Sequence, residues 1–264
     1  MEWRNIILRI SVVVTTYNGK MHLEKQLLSL LQQERAPDEV LIFDDGSTDG
    51  TIELVQSFIR KNCLESWQFY VNAKRKGWKQ NFMEGLRKAA GDILFPCDQD
   101  DIWYPKKLAE MTAVMEQHPE IKLLACDYRV LYESGALKAT VYKKTPAETQ
   151  GLITRYGFTK HFFMNPYPGC TYAVRRDFFD AVKELWFDGS PHDEFLWLMA
   201  AVQDGAWFYN RVLMDYVRYS DNASGVRYKD VALQKENLRY IHKQLCALQS
   251  FAAEHSDAVP VERC

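Results

Sequence analysis

Three carboxylates crowd into four positions at Asp98, Gln99, Asp100 and Asp101, directly after the apolar run 93–95. A short apolar run bounded by turn residues reads as a buried strand, so this strand releases its acids at its C-terminal end. Like charges packed that closely are costly unless a cation neutralises them. Carboxylate oxygens suit a hard divalent ion, Mg or Mn, of the kind that bridges to substrate phosphates. A second apolar run, 40–43, ends the same way, in Asp44 and Asp45 before Gly46, Ser47, Thr48 and Asp49. Asp45 can accept a hydrogen bond from a pyrimidine N3–H, and Tyr17 can stack on the same base. Asp98 and Asp100 then hold the metal at the diphosphate. Each residue also has a plainer reading. Asp44 and Asp45 can be turn and helix caps, Tyr17 a core tyrosine, and the acids of 98–101 a solvated turn before the next helix.

The elements that must position these groups follow from periodicity. Residues 7–14 are rich in β-branched side chains and read as a first strand, buried on both faces. Asn18 and Gly19 make a turn, and Leu23, Leu27, Leu30 and Leu31 recur at helical spacing until Pro37 and Asp38 break the pattern. After the strand 40–43, Thr48 or Asp49 caps a helix carrying Ile52, Val55 and Ile59. A third strand covers 67–71, a basic loop 72–77, and a helix 79–90 closed by Gly91. The acid-bearing strand follows, and Pro105 starts another helix. This alternation predicts an α/β fold with a mainly parallel sheet and helices on both faces, whose ligands bind beyond the carboxyl ends of the strands. Past residue 119 the texture changes. It predicts a strand 121–126, a hairpin 128–142 turning at Ser134 and Gly135, and an aromatic irregular stretch 151–168. Then come a strand 171–174, helices 177–185 and 191–201, short strands 207–209 and 212–217, a long amphipathic helix 231–252 and a tail with little core material.

The chain of 264 residues, 47% hydrophobic, is one large domain or two small ones. A net charge of -2 gives no electrostatic case for nucleic acid or an acidic membrane as the main partner. Six scattered cysteines without a C-x-x-C pair suggest neither a zinc site nor a disulfide framework, and point to a reduced, cytosolic setting. No signal peptide and no run of about 18 apolar residues is present, so no transmembrane helix is expected.

Four stretches together resemble glycosyltransferase family 2, the inverting nucleotide-diphosphosugar transferases of GT-A fold, and within it the bacterial rhamnosyltransferase-like members. They are 12–19, with Thr15 and Tyr17, 44–51, 77–81 and 98–103. The resemblance covers about residues 9–225, which sets a transferase domain at 1–225 apart from a C-terminal helix and tail at 226–264. Within the domain it implies a nucleotide-sugar half at 1–119 and an acceptor-side half at 120–225. It implies that Thr15, Tyr17 and Asp45, with Asp44 beside them, hold the nucleotide base. Asp98 and Asp100 match the Asp-x-Asp pair on ribose and metal, and Lys79 the basic residue near the diphosphate. Asp193, in His192, Asp193 and Glu194, matches the general base at the start of a later helix. A helix N-terminus favours an ionised carboxylate there; His192 and Glu194 are the competing assignments.

The segment Tyr216, Val217, Arg218 and Tyr219, with Asn222 and Gly225, resembles the last family motif. Tyr219 stands where many members carry a histidine, and a phenol with a pKa near 10 is a poorer metal ligand. Arg218 remains suited to a phosphate oxygen. The implied donor is a UDP- or dTDP-sugar. The implied acceptor is a hydroxyl of a glycan, on a lipid carrier in some relatives, with the enzyme in the cytoplasm or at the inner face of the membrane. Two other classes compete. A nucleotidyltransferase usually has a glycine-rich loop after the first strand, where this chain has one glycine, Gly19. A non-catalytic nucleotide-sugar-binding module would have no need of an acid at 193.

Overall fold

The computed structural model describes residues 7–133, 149–156, 165–219 and 231–254, with 231–238 described by backbone alone. The expected turn at Ser134 and Gly135, the aromatics Phe158, Phe162 and Phe163, the motif residues Asn222 and Gly225, and the tail beyond 254 lie outside the described residues.

The first half is built from strands that cannot alternate because both faces are covered. β1 (Ile10–Thr16) and β2 (Glu39–Asp44) are buried at every position. β3 (Trp67–Val71) and β4 (Ile93–Cys97) complete a parallel set in the order β3-β2-β1-β4. Successive side chains of β1 go to opposite faces. Val13 joins a core with α3 (Trp78–Lys88), while Ile10, Val12 and Val14 join one with α1 (Lys20–Leu31), α2 (Thr51–Lys61) and α4 (Lys107–Gln117). Gly85 lets α3 lie on β1, since a Cβ there would fall 2.4 Å from Val13 Cγ1 and 3.1 Å from the Phe43 ring. Gly85→Ala is therefore expected to cost about 1–3 kcal/mol by overpacking, read as a lowered midpoint in denaturant unfolding.

Beyond β4 the sheet continues rather than ending. β8 (Tyr172–Arg175) pairs antiparallel with β4 and with β6 (Leu123–Tyr132), and β9 (Ala206–Arg218) runs parallel to β6. β5 (Ile102–Trp103), from the acid-bearing loop, pairs antiparallel with β9, so the two expected halves share one nine-stranded sheet. The expectation of two short strands at 207–209 and 212–217 is corrected to the single β9. Asn210 and Arg211 drop out of the register with β6 between Tyr209 and Val212. Asn210 instead exchanges backbone hydrogen bonds with the 151–152 stretch, next to β7 (Ile153–Arg155), a strand inside the segment expected to be irregular. Residues 128–132, expected as the first arm of a hairpin, extend β6 against β9.

α5 (Arg176–Val182), α6 (His192–Val202) and α7 (Val231–Glu254) cover the same face as α3, with Leu248 and Phe251 of α7 entering that core. No helix of the described residues is long and apolar enough to cross a membrane.

Candidate active site

The carboxyl ends of β1, β2 and β4 lie side by side, because the registers pair Thr16 with Asp44 and Val14 with Cys97. Asp44 and Asp45 then diverge. Asp44 is fully buried and spends its oxygens on the turn: Oδ1 accepts from the amides of Gly46 and Ser47, and Oδ2 from the hydroxyls of Thr16 and Ser47. These four hydrogen bonds give Asp44 a part in the architecture of the loop, beside its expected part in donor binding.

Asp45 ties β2 to the basic loop. It accepts from the amides of Lys76 and Gly77 at 2.7 and 2.8 Å and from Asn72 Nδ2 at 3.1 Å. Arg75, in the same loop, stands 3.8 Å from Asp45 Oδ2 and holds its guanidinium 4.0 Å from the centre of the Tyr17 ring. Tyr17 is 37% exposed, and Gln99 locks its backbone from the acidic loop, accepting from its amide and donating to its carbonyl. Thr15 is buried on β1 just below. A flat slot thus exists between Tyr17 and Asp45, with a planar cation already in it. Asn72, Arg75 and Gln99 were not singled out by the sequence. Their only signal is membership of a polar loop and of the acid motif.

The second cluster surrounds Asp98. Asp98, Asp100 and Asp193 are each half-buried, and Asp101 is fully buried. Burial, and then the charges of Asp100 and Asp193, push the Asp98 carboxyl up to about 7. The turn 169–171 joins Asp193, at the start of α6, to these acids: a Cβ at Gly169 would fall 3.0 Å from Asp193 Cβ, and the Cys170 thiol lies within 4.8 Å of an oxygen of Asp98. Burial raises Asp100 too, against a hydrogen bond from Tyr219 and the charges of His22 and Arg218. Burial raises Asp193 against the amide of Glu194, which donates to Asp193 Oδ1, and against the charge of Lys79.

The remaining expected residues fall around these acids. Tyr219 donates its hydroxyl to Asp100 Oδ2 at 2.7 Å and stacks on His22 at 4.3 Å, so the phenol acts as a donor to the acid and not as a ligand. Arg218 is buried beside Tyr216 and lowers Asp100 by its charge. Lys79 reaches the carbonyl of Gly189 at 2.6 Å, and its charge acts on Asp193 and Glu194, so it stands over the helix that carries the acid. His192 is buried against Phe82 at 4.0 Å, and burial lowers its pKa to about 3, which keeps it neutral. Burial raises the Glu194 carboxyl, and the hydroxyl of Tyr240 from α7 bonds to Ser190 and Gln244.

The sequence also passed over Lys107. Its ammonium is fully buried, 3.7 Å from the centre of the Trp103 ring, and its charge lowers both Asp98 and Asp101. Lys107 donates to the carbonyl of Cys170 and to Met214 Sδ, and it forms no ion pair with the acids among the described residues. The oxygens of Asp98 and Asp100 are hard donors of the kind that fit Mg or Mn.

A Tyr17 ring and Asp45 at the ends of β1 and β2, beside acids at the end of β4, place the candidate site beyond the carboxyl ends of one sheet, as in a GT-A glycosyltransferase, an enzyme that draws on a nucleotide-sugar donor. The model of glycosyl transferase family 2 matches residues 11–180, and the chain belongs to that family. Among its relatives, the dTDP-rhamnosyl transferase RfbG of Shigella flexneri is 23% identical over 92% of this chain and 86% of its own length. The poly(ribitol-phosphate) beta-N-acetylglucosaminyltransferase TarS of Staphylococcus aureus is 28% identical over 58% of this chain and 26% of its own. The crystal structure of TarS residues 1–349 with UDP-GlcNAc matches at a TM-score of 0.64 and 18% identity, covering 83% of this chain and 62% of that one. The mannosyltransferase PcManGT of Pyrobaculum calidifontis, in complex with GDP-Man and Mn2+, matches at 0.59 and 19% identity, covering 82% and 58%. The chain spans most of RfbG but less than two thirds of either of the other two.

Proposed function

We propose that this chain transfers a sugar, with rhamnose the first candidate, from a dTDP- or UDP-linked donor to a hydroxyl of a cell-surface glycan, with inversion at the anomeric carbon. The observation that carries this reading is that one short turn, 169–171, lies against both Asp193, 3.0 Å from where a Gly169 Cβ would stand, and Asp98, one of whose oxygens is within 4.8 Å of the Cys170 thiol. The kinship with RfbG, a dTDP-rhamnosyl transferase, favours rhamnose and thymidine over other sugars and bases. The acceptor is read as a lipid-linked glycan met at the inner face of the membrane.

Each residue then has a task. Tyr17 stacks on the pyrimidine and Asp45 takes its N3–H, while Arg75 moves out of the slot or onto the other face of the base. Thr15 lines the same slot. Asp98 and Asp100 hold a divalent ion, which when bound neutralises charge on the departing diphosphate. Arg218 adds a fixed positive charge beside Asp100. Lys79 keeps Asp193 ionised from across α6. Asp193 takes the proton of the acceptor hydroxyl as its oxygen bonds to the anomeric carbon, and the carbon–oxygen bond to the diphosphate breaks on the opposite face. The electron pair of that bond leaves with the nucleoside diphosphate.

The test is a donor screen on the purified chain, with dTDP-rhamnose and a set of UDP-sugars, each with Mn, Mg or chelator, read as nucleoside diphosphate release. Metal-dependent release from one donor supports the proposal. A chain that binds donor but never releases diphosphate is a binding module instead. Tyr17→Ala is expected to weaken donor binding by about 1–2 kcal/mol, roughly 5- to 30-fold in Kd by calorimetry, through lost base stacking.

A further inference from the structure

The acid loop after β4 is laced to the end of β9. The amide of Val217 donates to Asp101 Oδ1 at 3.2 Å, and a little further on the hydroxyl of Tyr219 donates to Asp100 Oδ2 at 2.7 Å. A hydroxyl at that distance from a carboxylate makes a short, charge-assisted hydrogen bond. Downstream of the acids, β5 pairs Ile102 with Asp215 and Trp103 with Met214 of the same strand. The loop that carries Asp100 is thus strung between β4 and β9.

The Tyr219 ring is itself held. His22, in the first turn of α1, lies flat on it, with ring centres 4.3 Å apart and planes 16° from parallel. His22 Nδ1 stands 3.7 Å from Glu133 Oε1. Glu133 follows β6, and its amide donates at 2.9 Å to the carbonyl of Arg218, next to Tyr219. Segments far apart in sequence, α1 and the ends of β6 and β9, therefore meet around a phenol whose hydroxyl points at Asp100. Neither His22 nor Glu133 has a part in the roles above. A carboxylate on a loop can turn about its own side-chain bonds unless an outer partner fixes it, and such partners set how well it binds an ion.

We propose that Tyr219 is a positioning residue for the metal site, its hydroxyl fixing the orientation of the Asp100 carboxylate while His22, braced by Glu133, fixes the phenol. The stack on α1 then ties the nucleotide half of the chain to the metal-side acid through the end of β9. The inference rests on the reading of Asp100 as a metal ligand, and it gives His22 to the support of Tyr219 and not to the ion.

The test uses the full chain. Mn2+ binding in the presence of dTDP is followed by electron paramagnetic resonance, and dTDP binding without metal by calorimetry. Tyr219→Phe keeps the ring and its stack and removes only the donor. It is expected to weaken Mn2+ binding about 10- to 100-fold while metal-free dTDP affinity stays within about twofold of the parent. His22→Ala is expected to weaken Mn2+ binding about 3- to 10-fold through the loosened phenol. His22→Phe, which keeps a flat ring on that phenol, is expected to stay within about twofold of the parent. A packing role alone would leave Tyr219→Phe like the parent. A histidine bound to the ion would not be rescued by phenylalanine.

Tyr219→Phe that binds Mn2+ as the parent does overturns the proposal, and so does His22→Phe that binds it no better than His22→Ala. Metal-free dTDP affinity that falls as far as Mn2+ affinity in Tyr219→Phe also overturns it, since the whole site would then have moved. If the variants at one position do not fold, those at the other decide. An Asp100→Asn control separates the failures. Unchanged Mn2+ binding there would remove Asp100 from the metal, whereas weakened binding there beside an unaffected Tyr219→Phe condemns the positioning role alone.

Discussion

Asp193→Asn is expected to lower sugar transfer about 10²- to 10⁴-fold while leaving donor affinity within about twofold of the parent. Asparagine keeps the size of the side chain and its acceptor oxygen, so the amide of Glu194 retains a partner. It removes only the capacity to take a proton. The loss should fall on kcat and not on donor Kd, because on the proposed reading Asp193 acts on the acceptor hydroxyl and not on the donor. Neither neighbour can substitute. His192 is buried and neutral against Phe82, and burial raises Glu194 above the ordinary carboxylate range. Single-turnover transfer beside calorimetric donor binding checks the split. Equal loss in both would mean that α6 had moved, and no loss would remove Asp193 from the chemistry.

The second large effect concerns the metal. Asp100→Asn is expected to weaken Mn2+ binding at least about 100-fold and to make donor turnover insensitive to added metal. The same cleft makes metal binding depend on pH. Asp98 is pushed up to about 7 in the metal-free protein, so a proton must leave before the ion enters. Mn2+ affinity should therefore rise about tenfold per pH unit up to about 7 and level off above it.

Stability follows the opposite sign. A carboxyl whose folded pKa lies above its unfolded value stabilises at low pH, and that contribution is lost as pH rises through the folded value. In chelator the chain should thus melt at a higher temperature near pH 6.5 than at pH 8, and Mn2+ with dTDP should abolish the difference. Below about 6.5 His192 works against the trend, because its pKa of about 3 in the fold means that protons are drawn to the unfolded chain. Thermal scans at the two pH values, with and without metal, read both signs at once.

The parallel half of the fold was legible because its strands are buried on both faces and so appear as unbroken apolar runs ending in turn residues. β1, β2, β3 and β4 stand within three residues of their expected bounds. The second half was not, because its pairings are set by partners far along the chain. β9 looks like two strands until β6 and the 151–152 stretch show where Asn210 and Arg211 go.

The site divided along the same line. Asp45, Asp98, Asp100 and Asp193 were readable, because acids at a strand end or helix start carry a local signature. Asp44 carries the same signature, and only its four hydrogen-bond partners reveal that it serves the turn. Lys107, Arg75 and Cys170 look like an ordinary helix lysine, a loop arginine and a buried thiol. Their meaning lies in contacts with residues 30 to 70 positions away, which no local pattern records.

The arrangement as a whole is tested most directly by a crystal structure of the chain grown with Mn2+ and dTDP, with anomalous data locating the manganese. The account predicts manganese bound by carboxylate oxygens of Asp98 and Asp100 and by the diphosphate, thymine lying against Tyr17 with its N3–H on Asp45, and Asp193 facing the metal-bound diphosphate across an open space. Manganese bound elsewhere, or a base lodged outside the slot between Tyr17 and Asp45, would contradict it.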